Sequence, residues 1–264
     1  MTTQHSTALI TGASSGIGAV YADRLAARGY NLVLVARREA RLQALAADLS
    51  GRYGVDVQIL TADLSDENGI RTVEETLRNG TRIDTLVNNA GTAQMAPFLS
   101  GEVKQHQAIN TLNTTALMRL TYAILPRLAQ NNSGTVINIA SVLSLHARAG
   151  SALYSATKAW VFNFTRGLQE EFAESGVRIQ AVLPAATATE IWDLSGVSIT
   201  DLPEGSVMTT DNLVDAALAG LDQGELITIP PMHDIQLWEC FEAARLELFA
   251  SARTGEPAPR YLSH

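Results

Sequence analysis

The stretch Ala8-Leu9-Ile10-Thr11-Gly12-Ala13-Ser14-Ser15-Gly16-Ile17-Gly18 decides the fold. It starts as a short apolar run, passes through closely spaced glycines, and opens a segment of helical length that ends near Gly29. Strand, glycine turn and helix in that order form a setting in which a backbone can hold a pyrophosphate. Glycine lets the chain turn tightly and lets the anion come close. The start of the helix adds free N–H groups and a partial positive charge. On this reading Gly12, Ser14, Ser15, Gly16, Ile17 and Gly18 are candidate dinucleotide contacts. Taken alone, the same residues also read as an ordinary glycine-rich turn.

The pattern continues outward from there. Asn31 to Val35 is a continuous apolar run, as expected of a strand buried on both faces. Glu39 to Ser50 places Leu42, Leu45, Ala46 and Leu49 on one helical face. Val57 to Leu60 reads as a third strand, and Asp66 to Arg78 as a helix with Ser65 as its N-cap. Leu86 to Asn88, Thr135 to Ile139 and Val177 to Val182 read as strands four to six, and Leu226 to Ile229 as a seventh. Such alternation predicts an α/β fold, a doubly wound and mostly parallel seven-stranded Rossmann sheet. Its crossovers are expected to be right-handed. No repeat or linker divides the chain, so residues 1–264 are read as a single domain. The irregular stretch around Ser195 to Met208 suggests a substrate lid over about residues 188–210. A C-terminal helical extension is expected at about residues 235–250.

Composition narrows the class. Of 264 residues, 46% are hydrophobic and 17% charged, a balance that supports a sizeable core. A formal net charge of -8 argues against binding nucleic-acid phosphates. Cys240 is the one cysteine, so no internal disulfide can form, and no metal-ligand pattern appears among the histidines. The start, Met1 to Ser6, is polar, and no run has the length of a signal core or a membrane span. A cytoplasmic protein with no membrane partner is expected.

The second strand ends in Ala36-Arg37-Arg38, where an acidic residue would bind the ribose 2′-hydroxyl of NAD. Two guanidinium groups suit the 2′-phosphate of NADP instead, so NADP(H) is expected over NAD(H). Tyr154 and Lys158 are four residues apart on a helical segment and share a face. A free tyrosine titrates near about 10, and a nearby ammonium is expected to lower that value. The pair could then exchange a proton with a substrate. Ser141, just after the fifth strand, could stabilise charge on a carbonyl oxygen. Each of these residues alone has a plain structural reading; their spacing behind a nucleotide turn is what points to chemistry.

Together these residues resemble the short-chain dehydrogenase/reductase family in its compact single-domain branch. The resemblance covers roughly Thr7 to Thr189 and rests on Thr11-Gly12-x-x-x-Gly16-x-Gly18, Asp63, Asn88-Asn89-Ala90-Gly91, Asn110, Ser141, Tyr154-x-x-x-Lys158 and Pro184. It implies that Tyr154 is the general acid in reduction, that Lys158 tunes it and holds the nicotinamide ribose, and that Ser141 binds the substrate oxygen. It implies that Asn110 holds a proton-carrying water chain. It places Asp63 and Leu64 near the adenine, Asn89, Ala90 and Gly91 along the cofactor cleft, and Pro184, Thr187 and Thr189 at the nicotinamide or phosphates. The family usually has Pro-Gly where this chain has Pro184-Ala185; alanine there is harmless only if its φ is negative. The C-terminal tail is similar to those of bacterial members known as uncharacterised oxidoreductases. The family also implies a homo-dimer or homo-tetramer. Trp238, Phe241, Leu246 and Phe249 could pack on a second subunit or on the chain's own core.

The substrate wall is expected from Leu143, His146, Leu153 and Trp192, a mostly apolar set with His146 as a second polar contact. NADPH-dependent reduction of an apolar ketone or aldehyde is the leading expectation. An idle NADP(H)-binding sensor is the alternative; such a protein would be free to lose Tyr154 or Lys158, and both are present.

Overall fold

The apolar runs become the strands of one sheet. A computed structural model describes residues 6–79 and 82–262; the polar start, Met1 to His5, lies outside the described residues. The strands are β1 (Thr7–Thr11), β2 (Asn31–Ala36), β3 (Val57–Thr61), β4 (Thr85–Asn88), β5 (Gly134–Ile139), β6 (Val177–Val182) and β7 (Ile227–Thr228). The helices are α1 (Gly16–Ala27), α2 (Glu39–Tyr53), α3 (Glu67–Asn79), α4 (Val103–Asn110), α5 (Leu117–Asn131), α6 (Ala152–Glu171), α7 (Ile191–Ser195), α8 (Thr210–Asp222) and α9 (Ile235–Ser251). A π-helical turn, Thr111–Ala116, joins α4 to α5.

The strand order is β3-β2-β1-β4-β5-β6-β7, with every pairing parallel. The order reverses between β1 and β4, and a crevice opens there beyond the carboxyl ends of the strands. Two apolar clusters cover the sheet. One contains Ile10, Leu34, Val87 and Ile137 with Leu25, Leu42 and Leu218 from the helices. The other contains Leu9, Val33, Leu86 and Val136 with Ile70, Leu120 and Ile124. Alternate residues of each strand thus feed opposite faces, which is why the runs are apolar throughout.

Local differences from expectation have local causes. The cap of α3 is Asp66, whose Oδ1 accepts from the Gly69 N–H at 2.8 Å. Ser65 instead donates its hydroxyl to Asp63 at 2.7 Å. Helix α2 runs past Ser50 to Tyr53 and stops where Gly54 adopts φ +69. β7 is short because only Ala181 and Val182 of β6 pair with it.

A polar ladder crosses the sheet beneath α6. Asn88 Nδ2 donates to Asn138 Oδ1 and to Thr121 Oγ1, each at 2.9 Å, and Asn138 Nδ2 donates to Thr165 Oγ1 at 2.9 Å. These buried bonds tie β4 and β5 to the helix that carries Tyr154 and Lys158. At the far end of α1, Arg24 bonds Asp211 and Asp215, the latter at 2.7 Å, joining that helix to α8.

Packing divides the chain into two units, residues 1–230 and 231–264. In the second, Asp234 caps α9 by accepting from the Gln236 N–H at 3.0 Å, and Trp238 stacks on Phe241 with centroids 5.4 Å apart. Among the described residues no helix is long and apolar enough to cross a membrane.

Asn138→Ala should lower the unfolding free energy by about 2 kcal/mol, since it strands a buried donor and leaves a void. Urea unfolding measures this; a loss under about 0.5 kcal/mol would show that the ladder does not hold α6 in place.

Candidate active site

The glycine turn is built by close backbone contact. A side chain on Gly18 would collide with the Gly12 carbonyl oxygen and with Asn89 Nδ2. Gly12 itself sits at φ +68, and an added Cβ would lie 2.7 Å from Asn89 Nδ2. Thr11 closes the far side: its Oγ1 accepts from the N–H groups of Asn89 and Ala90, each at 3.0 Å. Asn89 Nδ2 donates back to the Thr11 carbonyl at 2.9 Å. The ends of β1 and β4 are thereby clamped together under the cleft, and the start of α1 is left without a side-chain cap. A turn with room only for backbone, facing uncapped N–H groups, fits a pyrophosphate.

The cleft has a volume of ≈ 720 Å³. Ser14, Ser15, Gly16, Ile17, Asp63 and Leu64 line it at one end, with Arg37 and Arg38. Ala90, Gly91, Tyr154, Lys158, Pro184 and Thr187 line the other, with Asn89 and Thr189 also on the wall. Gly18 lies beneath the wall, where its role is close packing. Arg38 donates to Ser14 Oγ at 3.0 Å and to Ser15 Oγ at 2.7 Å. Arg37 approaches Asp63 at 3.8 Å. This basic end, with its two hydroxyls, has the donor set that a 2′-phosphate requires.

At the other end Ser141, Tyr154 and Lys158 are all buried, at 7%, 9% and 6% exposure. The Ser141 hydroxyl accepts from the Leu143 N–H at 3.1 Å and lies beside Tyr154, where a bond to the phenol favours its ionised form. Lys158 Nζ donates to the Ile139 carbonyl at 2.8 Å and lies 5.9 Å from the centre of the Tyr154 ring. The sequence reading expected a lowered tyrosine. Burial instead pushes Tyr154 up to about 12, with the Ser141 bond acting against that rise, and burial pushes Lys158 down to about 8. Loss of water is the largest influence on both groups.

Two expected contacts are corrected. Asn110 closes α4 with its side chain exposed, away from the cleft. Asn113, 2% exposed in the π-helical turn, is the asparagine beside Lys158. Its Nδ2 donates to the Thr92 carbonyl at 2.9 Å and to Thr157 Oγ1 at 3.0 Å, and its Oδ1 accepts from the Thr92 N–H at 2.9 Å. A Cβ on Gly91 would sit 3.3 Å from that Oδ1 and 3.6 Å from Lys158 Nζ, so all three meet at one point. Asn110 is expected only from the family resemblance; the π-helical turn Thr111–Ala116 instead holds Asn113 in the site. His146 is the second correction: it is exposed beyond the short turn Val142–Ser144 and does not line the cleft.

Leu143 and Trp192 do line the cleft, while Leu153 faces a small adjoining space behind Tyr154. Arg41, Glu190, Met95 and Arg148 join the wall. Arg41 had a signal, three residues after Arg38 at the start of a helix. Glu190 had none. Asn132 is the one described non-glycine residue with positive φ, so Ala185 sits in backbone that alanine adopts freely.

The segment expected to be a lid is held at both ends. Thr187 and Met208 form a parallel bridge, with Ala188 N donating to the Met208 carbonyl at 2.9 Å. Between them Trp192 Nε1 donates to the Thr187 carbonyl at 2.7 Å, and Met95 N to the Ser195 carbonyl at 2.7 Å.

The short-chain dehydrogenase model matches residues 6–196. The chain belongs to that family. It is similar to a short-chain dehydrogenase from Sphingobium yanoikuyae in complex with NADPH, at 49% identity and TM-score 0.93, covering 97% of this chain and 100% of that one. A bulky-bulky ketone specific alcohol dehydrogenase from Comamonas testosteroni is 43% identical with TM-score 0.90, covering 99% of this chain and 100% of that one. Among curated proteins, an uncharacterised oxidoreductase of Staphylococcus saprophyticus is 33% identical over 227 residues, 86% of this chain and 95% of that one.

Gly18→Ala should lower stability by about 2 kcal/mol or more and weaken dinucleotide binding, since the new methyl meets fixed backbone. Thermal unfolding and nucleotide titration together check this; an unchanged Tm would mean that the turn relaxes freely.

Proposed function

We propose that the protein reduces bulky apolar ketones, and the corresponding aldehydes, with NADPH. One observation carries this reading: Ser141, Tyr154 and Lys158 are buried together at one end of a cleft whose other end is lined by Arg37, Arg38 and Ser14. The wall beside Tyr154 includes Met95, Val142, Leu143, Ile191 and Trp192, which favours an apolar substrate. The NADPH complex of the Sphingobium relative and the ketone specificity stated for the Comamonas one support cofactor and substrate class.

Bound NADPH supplies the hydride. Tyr154 donates a proton to the carbonyl oxygen as negative charge builds there. Ser141 donates a hydrogen bond to the same oxygen and fixes its place. Lys158, when charged, stabilises the phenolate left on Tyr154. Asn113 holds the loop at Thr92 against the helix that carries both groups. Trp192 and Leu143 shield the reacting centre from water.

Tyr154→Phe should abolish ketone-dependent NADPH oxidation while NADPH affinity, followed by fluorescence, stays within about threefold. Retained turnover would reject Tyr154 as the acid. Equal affinity of the native protein for NADPH and NADH would reject the cofactor assignment.

The pH profile has a definite sign. Lys158, pushed down to about 8, is charged below that pH and neutral above it. Tyr154, pushed up to about 12, keeps its proton across the working range. Reductive kcat/KM should therefore be level below about pH 8 and fall above it. Lys158→Arg, which stays protonated, should remove that fall; a fall at the same pH in the variant would assign it to another group.

A further inference from the structure

The basic end of the cleft already contains an anion. Arg38 Nη1 donates to Glu190 Oε2 at 2.6 Å, and Arg41 Nη1 donates to Glu190 Oε1 at 2.5 Å. The same Arg38 guanidinium bonds Ser14 and Ser15. One carboxylate thus sits where two guanidinium groups and two hydroxyls converge.

We propose that Glu190 is a built-in competitor for the cofactor's 2′-phosphate, a residue that sets NADP(H) affinity by occupying Arg38 and Arg41 until the phosphate displaces it. The inference rests on the NADP(H) reading above and adds that the 2′-phosphate must exchange with a residue of the lid.

Three observations support it. Glu190 takes Arg38 Nη1 while Ser14 and Ser15 take Nε and Nη2, so every nitrogen of that guanidinium is already engaged where a 2′-phosphate would bind. Arg38, Arg41 and Glu190 are 42%, 50% and 44% exposed, so the bridge is a weak surface pair that a dianion can replace. Hydrogen bonds from Arg41 and then Arg38 hold the Glu190 carboxyl at about 2, so it stays charged and would repel an arriving phosphate. Glu190 is also the residue from which α7 starts, two positions before Trp192. Displacing it releases one of the contacts that hold the segment carrying Trp192.

The probes are adenosine 2′-monophosphate and adenosine 5′-monophosphate, titrated into native protein and Glu190→Gln. The variant should bind the 2′ isomer roughly three- to tenfold more tightly and the 5′ isomer within about twofold of native. Glu190→Asp, too short to reach both arginines, should lie between the two and serves if the amide variant folds poorly. With Trp160→Phe and Trp238→Phe leaving Trp192 as the sole tryptophan, the 2′ isomer should shift its emission in the Glu190 protein and not in the Glu190→Gln form. Unchanged or weaker 2′ binding in both variants overturns the proposal while leaving the NADP(H) reading in place. A native protein with no preference for the 2′ isomer overturns both.

Discussion

Everything in the cleft depends on how closely β1 and β4 approach each other at their carboxyl ends. The Thr11 hydroxyl takes two N–H groups from the Asn89 turn, and Asn89 returns one to the Thr11 carbonyl. Gly18 then brings α1 against the Gly12 carbonyl. A side chain at Gly18 would push helix from strand, one at Gly12 would push the turn away from Asn89 and Ala90, and in either case the N–H groups of α1 would no longer converge on one point. The polar ladder of Asn88 and Asn138 does the equivalent for α6. The two halves of the site are thus set by separate contacts on neighbouring strands.

The electrostatics of the catalytic end follow from burial. Tyr154 and Lys158 are both driven toward their neutral forms. On the proposed mechanism a protonated phenol is the form needed to donate, and burial keeps Tyr154 in that form. The lysine is balanced near neutrality, where nearby charge decides its state. The opposite end is the reverse case: there two exposed arginines hold the Glu190 carboxylate ionised.

Much of this was legible in the sequence because it rests on short-range rules. Apolar runs without alternation marked strands covered on both faces, and the spacing of Tyr154 and Lys158 marked a shared helical face. The glycine turn was readable because backbone contact excludes other residues. The errors arose where geometry departs from a regular period or depends on distant partners. Asn113 replaced Asn110 because the sequence offers two asparagines three positions apart, and only the buried one, in the π-helical turn, reaches the site. Asp66 replaced Ser65 as a cap because Asp63 captures the serine hydroxyl. His146 lies past a short turn that directs it outward. Glu190 meets Arg38 across 152 positions of chain, a pairing that no local pattern records.

The bridge between Thr187 and Met208 has an evolutionary consequence. It closes the lid into a loop whose ends are already joined, so lengthening the loop adds little closure entropy, about 0.6 kcal/mol for each doubling. Insertions or deletions between those residues can therefore reshape the substrate chamber while the strands, the glycine turn and the proton donor stay as they are. Relatives built on this frame can change the substrate they accept while leaving the dinucleotide end untouched.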